Sequence, residues 1–137
     1  MRIRSLGTTV ARMVLGALVM DYAGVLSDGP ELLELVHRVR AAGTPTALVT
    51  DAAVVPDVCA AAFDLVVLGA ALGVRKPDPE VYRRVAARLG VAVTDCVVVD
   101  DHARNVRGAR AAGAVVVHHR DDAMTIAEVA ALFGLSL

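Results

Sequence analysis

The stretch "CVVVDDHARNVRGARAAG", residues 96–113, contains one complete strand, turn and helix. Its first four residues are apolar and are followed by two aspartates, Asp100 and Asp101. A short, continuous apolar run of this kind is typical of a strand that is buried on both faces of a parallel sheet. The residues after the aspartates have helical spacing of small and apolar side chains, so the stretch indicates one βα unit of an α/β fold.

The same alternation of Val-rich runs and amphipathic stretches extends along most of the chain. The apolar runs predict five strands, at residues 16–20, 46–50, 65–68, 96–100 and 114–118. Strands that alternate with helices favour a parallel sheet whose two faces are covered by helices. The expected fold is therefore a three-layer α/β/α, Rossmann-like, doubly wound parallel sheet of about five strands.

Two of the predicted helices carry clear start and stop signals. The first follows Asp28, which we expect to cap it, has Pro30 in its first turn and stops at Gly43. The second follows Asp78 as its cap and stops at Gly90. Both show apolar residues at helical spacing, which predicts that each packs one face on the sheet.

Composition limits the number of domains and the classes of partner. The chain has 137 residues, of which 56% are hydrophobic and 3% aromatic, which predicts one core domain, at residues 16–137, and an N-terminal arm at 1–15. A net charge of −1, from 14 basic and 15 acidic side chains, favours neither nucleic acid nor an anionic membrane as a partner. The two cysteines lack metal-ligand spacing and predict reduced thiols in a cytoplasmic protein.

Polar residues stand where the predicted strands end. Because ligands of an open α/β sheet bind at the carboxyl ends of its strands, these residues are the candidate site. Two like charges about 4 Å apart repel by roughly 4 kcal/mol at an effective dielectric constant near 20, so several carboxylates at one edge favour a bound cation. Oxygen ligands suit Mg²⁺. The candidate residues are Asp21, Thr50, Asp51, Lys76, Asp100 and Asp101.

Four motifs, in this order, resemble those of the haloacid dehalogenase-like hydrolase superfamily. They are "LVMDYAGVL" (18–26), "ALVTD" (47–51), "GVRKPDPEVY" (73–82) and the stretch 96–113 quoted above. The resemblance runs from about residue 16 to 120, and the third and fourth motifs are its most specific part.

The resemblance implies phosphoryl transfer to a carboxylate. Asp21 corresponds to the nucleophile that forms an aspartyl-phosphate, and the hydroxyl of Thr50 to the group that binds the phosphoryl oxygens. Lys76 would offset negative charge on the nucleophile and the intermediate. Asp51, where the family more often has asparagine, would belong to the substrate-binding residues. We therefore expect a phosphatase.

The resemblance also implies a set of Mg²⁺ ligands. Asp21 and Asp100 would bind the ion directly, and Asp101 would support it. The third protein contact in the family is the backbone carbonyl two residues after the nucleophile, which Ala23 can still supply. Asn105 stands where many members have a residue that orients this loop.

Position 23 departs from the family pattern. Most phosphatases of the superfamily have a second aspartate there, which protonates the leaving group and activates water, and the loss of such a group costs about 10² to 10⁴ in rate. A phosphatase for substrates with good leaving groups, or one that uses Asp51 as a substitute, is the favoured interpretation. One alternative is a catalytically degenerate domain that binds a phosphate-bearing or protein partner. The other is a 2-haloacid dehalogenase, which the pair Asp100 and Asp101 disfavours because dehalogenases of that type work without metal.

The spacing of the motifs predicts that no cap domain covers the site. Only residues 27–29 separate the first motif from the helix that begins near Pro30. The segment between the second and third motifs holds one short helix, a strand and a loop. An open site suits a large or protein-borne phosphorylated substrate, or a second copy of the chain that closes it.

Overall fold

The structure is a computed structural model that describes three parts of the chain, residues 2–5, 8–11 and 15–137, the first two as backbone only. The first two parts pair as antiparallel strands, β1 (Arg2–Ser5) and β2 (Thr8–Ala11). Residues 1, 6–7 and 12–14 of the predicted arm lie outside the described residues. The boundary between arm and core at residue 15 stays a prediction.

One parallel sheet forms the centre of residues 15–137. Its five strands are β3 (Ala17–Met20), β4 (Thr46–Thr50), β5 (Leu65–Leu68), β6 (Cys96–Asp100) and β7 (Val115–His118). In space they lie in the order β5-β4-β3-β6-β7, so that β3 is the central strand. The predicted strands agree with these bounds to within one residue, and the predicted doubly wound fold is confirmed.

Helices cover both faces of the sheet because every central strand is apolar on both sides. They are α1 (Glu31–Ala41), α2 (Asp57–Ala60), α3 (Pro79–Leu89), α4 (Ala103–Ala112) and α5 (Asp122–Phe133). Leu18 and Met20 of β3 pack with α1, α2 and α5, whereas Val19 packs with α3 and α4. None of the helices within the described residues is long and apolar enough to cross a membrane.

The ends of α3 follow the sequence prediction, and the start of α1 does not. The Asp78 side chain accepts a hydrogen bond from the backbone N–H of Glu80 at 2.9 Å, and Gly90 ends α3 with φ +74°. The predicted cap of α1 is wrong, because Asp28 belongs to a 3₁₀ turn, Leu26–Asp28. Pro30 occupies the cap position of α1 and makes no side-chain capping bond.

No cap domain interrupts the core within residues 15–137. A single 3₁₀ turn lies between Asp21 and α1, and α2 and β5 occupy the segment between Thr50 and Lys76. The predicted absence of a cap is confirmed for the described residues. Within residues 15–137, the loops that follow the strands border the carboxyl edge of the sheet.

Candidate active site

Pairing of the two central strands brings two aspartates together. Met20 of β3 lies opposite Val99 of β6 in the parallel register, so Asp21 and Asp100 follow as neighbours at the carboxyl edge. The backbone N–H of Asp21 donates to the carbonyl of Val99 at 3.1 Å, which extends this pairing beyond the end of β3. Sequence placed the two residues at one edge, and the register places them side by side.

Lys76 bridges the two aspartates. Its Nζ lies 3.0 Å from Asp21 Oδ1 and 2.9 Å from Asp100 Oδ2, and only 3% of the lysine side chain is exposed. Lys76 is the only lysine among the 14 basic residues of the chain. A compact ammonium can contact both carboxylates at once, whereas the wider, planar guanidinium of arginine requires a different geometry. The ion triad is thus built from one cation and two anions and carries a net negative charge.

Asp100 is held from three directions. Besides Lys76, its Oδ2 accepts a hydrogen bond from Asn105 Nδ2 at 3.1 Å. Its Oδ1 accepts one from the backbone N–H of His102 at 2.9 Å. A carboxylate offers about four lone-pair positions, so one position on Oδ1 stays free for a further ligand. The predicted role of Asn105 as an orienting residue is consistent with this bond and stays a prediction.

Two contacts of α4, one with α3 and one with the Lys76 loop, fix this arrangement. The hydroxyl of Tyr82 donates to the carbonyl of Asn105 at 3.2 Å. A Cβ at Gly108 would lie 2.0 Å from the carbonyl oxygen of Pro77, so only glycine permits this approach of helix and loop. Sequence analysis did not single out Gly108, although a glycine inside a helical pattern often marks such a close approach.

The environment of Asp21 disfavours its charged form. Burial raises the pKa of Asp21 above its ordinary value, and the neighbouring negative charge of Asp100 raises it further. Lys76 acts in the opposite direction through its charge and its hydrogen bond, without fully offsetting the burial. A second cation at this edge would therefore stabilise the carboxylate form.

Three carboxylates form a group that fits a metal ion. Oxygens of Asp21, Asp100 and Asp101 lie within 4.8 Å of one another. Asp101 is exposed, and its Oδ2 lies only 2.1 Å from the place that a Cβ at Gly24 would occupy. Because Gly24, with φ +74°, has no Cβ, the Asp101 carboxylate can occupy this space. An oxygen-only donor set of this kind suits Mg²⁺, and the predicted contribution of the Ala23 carbonyl stays a prediction.

The two residues of the second motif lie in different environments. Thr50 ends β4, next to β3, and is 2% exposed. Its Oγ1 accepts a hydrogen bond from the backbone N–H of Ala52 at 3.2 Å, which leaves the hydroxyl proton free to donate. Asp51 lies outside the carboxylate group, and its side chain is 54% exposed at 3.9 Å from Arg75. The structure thus places Thr50 at the carboxyl end of β4, beside β3, and Asp51 on the exposed rim of this edge.

Comparison with known proteins identifies the family. The profile of the haloacid dehalogenase-like hydrolase family matches residues 8–113. Phosphatase MT3486 of Mycobacterium tuberculosis is 34% identical over 102 residues, which cover 69% of this chain and 47% of that protein. The chain therefore belongs to the haloacid dehalogenase-like hydrolase family, and the phosphatase names among its relatives support a hydrolase of that kind.

Solved structures share the fold of this chain. An uncharacterized protein from Corynebacterium glutamicum aligns with a TM-score of 0.79 at 30% identity, and the alignment covers 89% of this chain and 97% of that one. A family enzyme from Bacteroides thetaiotaomicron, in complex with magnesium and inorganic phosphate, aligns with a TM-score of 0.55 at 16% identity over 71% of this chain and 57% of that one, a likeness of fold alone. The chain spans about half or less of the length of the curated relatives it matches first.

Proposed function

We propose that the chain is a Mg²⁺-dependent phosphatase in which Asp21 takes up the phosphoryl group. The observation that carries the proposal is the ion triad, in which a buried lysine holds Asp21 beside Asp100. Lys76 occupies Oδ1 of Asp21, which leaves Oδ2 as the attacking oxygen. Family membership and the phosphatases among the relatives add support.

The residues of the site divide the reaction between them. Asp21 forms an oxygen–phosphorus bond while the bond from phosphorus to the leaving oxygen breaks, and water later hydrolyses the aspartyl-phosphate. Lys76 and the Thr50 hydroxyl donate hydrogen bonds to phosphoryl oxygens on which negative charge develops. Asp100 and Asp101, with Asp21, would hold Mg²⁺, which supplies charge neutralisation when bound.

Ala23 limits the leaving groups that this site can release. Its side chain is a methyl group, so the leaving oxygen receives no proton from position 23 and departs with most of its negative charge. Aryl and acyl phosphates tolerate this departure better than alkyl phosphates. The open carboxyl edge suits a large or protein-borne substrate, or closure by a second copy of the chain, in a cytoplasmic setting.

One alternative is a protein that binds a ligand at the same site and does not catalyse a reaction. Ala23 also favours a degenerate domain that binds a phosphate-bearing or protein partner and does not turn it over. The 2-haloacid dehalogenase interpretation has less support, because three carboxylates grouped within 4.8 Å favour a cation, which dehalogenases of that type do not use.

Hydrolysis of an aryl phosphate, measured with Mg²⁺ and with chelator, tests the proposal. We expect Mg²⁺-dependent turnover in the wild type and background rates in Asp21→Asn. Arg83→Ala, a change on the exposed face of α3, serves as the control and should retain the wild-type rate. If Mg²⁺ raises the melting temperature but neither aryl nor acyl phosphate is hydrolysed, the non-catalytic alternative holds. If Mg²⁺ changes neither turnover nor melting temperature, the metal site is wrong.

A further inference from the structure

An ion pair on the rim borders the two proposed phosphoryl contacts. Asp51 follows Thr50 in the chain, and Arg75 precedes Lys76. Nη1 of Arg75 lies 3.9 Å from Oδ1 of Asp51, and the two side chains are 58% and 54% exposed. Because Asp51 and Arg75 are the chain neighbours of Thr50 and Lys76, a phosphoryl group bound to those two residues would have this ion pair beside the rest of its substrate.

The guanidinium of Arg75 lies against the backbone of Gly69. A Cβ at Gly69 would lie 3.2 Å from Nη2 of Arg75, so the guanidinium lies directly over this glycine, whose φ is +56°. The backbone N–H of Gly69 donates to the carbonyl of Thr50 at 2.8 Å. The position of the guanidinium is thereby tied to the strand end that carries the proposed phosphoryl-binding hydroxyl.

The contact between Arg75 and Asp51 leaves the arginine available to a ligand. Charge-assisted hydrogen bonds usually measure about 2.7 to 2.9 Å, and the 3.9 Å separation is much longer. Arg40 provides a contrast, because it contacts Asp64 at 2.9 Å and also donates to the carbonyl of Ala61 at 3.1 Å. Both contacts of Arg40 are made to groups of the fold, whereas Arg75 has one long contact with Asp51 and a side chain that is 58% exposed.

We propose that Arg75 determines specificity by binding a carboxylate on the part of the substrate that leaves. The inference rests on the proposed phosphatase function and names the class of its substrate, a phosphate ester that also carries a carboxylate. The planar fork of a guanidinium matches the two oxygens of a carboxylate. Asp51 already presents a carboxylate to Arg75, so a substrate carboxylate would compete with Asp51, whose exposed side chain water can solvate after displacement.

Kinetics on a matched pair of substrates test the role of Arg75. Phenyl phosphate and 3-carboxyphenyl phosphate differ only in the carboxylate, and we expect the wild type to have the lower KM for the second. Arg75→Ala should raise that KM about tenfold, the effect of one charged hydrogen-bonded pair, and should leave the KM for phenyl phosphate unchanged. Arg75→Lys should recover part of the preference. Arg83→Ala, the matched control, should keep all of it.

Asp51→Asn gives an effect of opposite sign. Removal of the competing carboxylate should lower the KM for 3-carboxyphenyl phosphate, and Arg75→Ala should cancel that gain. A wild type without preference between the two substrates would overturn the proposal. So would an Arg75→Ala variant in which both KM values change by the same factor.

Calorimetry separates this proposal from the phosphatase function. Benzylphosphonate and 3-carboxybenzylphosphonate, titrated in Mg²⁺, report binding without turnover. A carboxylate preference that disappears in Arg75→Ala supports the role of Arg75 even if no phosphate ester is hydrolysed. Equal affinities, or no binding of either phosphonate, would refute it.

Discussion

The buried and the exposed halves of the site differ in how many contacts hold each side chain. In the buried half, Lys76 and Asn105 both donate hydrogen bonds to Asp100, and α4 packs against the Lys76 loop. No buried side-chain nitrogen or oxygen within the described residues lacks a partner. In the exposed half, Asp51 and Arg75 share one long contact, and Ala23 offers no polar side-chain group.

Because of this difference, the buried half contains the residues for charge stabilisation, whereas the exposed half contains the positions for proton transfer to the leaving group and for substrate recognition. The buried half can hold a nucleophile, stabilise charge on a phosphoryl group and provide carboxylates for a cation. The exposed half carries Ala23, where the proposed mechanism lacks a general acid, and the rim that a leaving group would contact. Changes in the buried half should therefore damage both fold and reaction, whereas changes in the exposed half should alter only which substrates react.

Lys76→Met should have the largest effect, because it leaves two buried carboxylates without their cation. We expect turnover to fall by at least about 10³-fold, as for other residues that act as a catalytic unit. Removal of one partner of a buried ion pair typically destabilises a protein by about 3 to 5 kcal/mol. Denaturant unfolding in chelator should show this loss, and Mg²⁺ should restore part of it.

Lys76→Arg tests whether charge alone is sufficient. It keeps the charge but not the compact ammonium, and we expect greater stability than in Lys76→Met with turnover still greatly reduced. Equal stability of the wild type and Lys76→Met in chelator would contradict the structural role of the triad.

Ala23→Asp should change the exposed half without harming the buried one. If the new carboxylate reaches the leaving oxygen, hydrolysis of alkyl phosphates should rise by about 10². The rate of phosphoryl transfer from aryl phosphates to Asp21, measured before the steady state, should change much less, because their leaving groups need no proton. A leaving-group series on both proteins measures the change. Ala53→Asp, an identical substitution at an exposed site after β4, is the control and should give no gain.

A wild-type rate that is already insensitive to leaving-group pKa, with chemistry rate-limiting, would show that another acid is in place. Asp51 and His102 would then be the first residues to replace. This outcome would contradict the interpretation of Ala23 as a lost acid.

Asp64→Asn should give the smallest effect, because it lies at the opposite edge of the sheet. Partial burial raises the pKa of Asp64, but the N–H of Thr46 and the charge of Arg40 outweigh it and lower the pKa below 3.8. A carboxyl group whose pKa is lower in the folded state stabilises the fold at pH values above its pKa in the unfolded chain. This stabilisation is lost as the pH falls through the pKa of the folded state. The variant should therefore melt slightly lower than the wild type at pH 7, and the difference should disappear in acid.

The same variant locates the reaction at one edge of the sheet. Turnover by Asp64→Asn should equal that of the wild type, because no proposed catalytic residue contacts Asp64. A melting difference that persists unchanged into acid would show that the carboxylate is not the stabilising group.

Sequence predicted the parts of the structure that depend on local pattern. Continuous apolar runs placed the strands, and the Asp78 and Gly90 signals placed the ends of α3. The proximity of Asp21 and Asp100, which Lys76 bridges, followed from the rule that parallel strands end at one edge.

Other features depend on tertiary contacts that no local pattern encodes. The cap of α1 could not be predicted, because the 3₁₀ turn at Leu26–Asp28 competes with the capping role of Asp28. Tyr82 has core spacing, and only the packing of α3 on α4 shows that its hydroxyl contacts Asn105. The pair Arg75 and Asp51 joins two loops that are 24 residues apart in the chain.

A phosphoryl group bound covalently to Asp21 is the most direct consequence of the proposed chemistry. Acetyl phosphate needs no general acid to transfer its phosphoryl group, whereas hydrolysis of the aspartyl-phosphate lacks a base at position 23. The intermediate should therefore accumulate on Asp21 in Mg²⁺, and borohydride should reduce it to homoserine with release of phosphate, a product that mass spectrometry detects at position 21. It should be absent in chelator and in Asp21→Asn, and diminished in Ala23→Asp. Turnover of acetyl phosphate without modification of Asp21, or equal labelling of Asp21→Asn, would contradict the proposed mechanism.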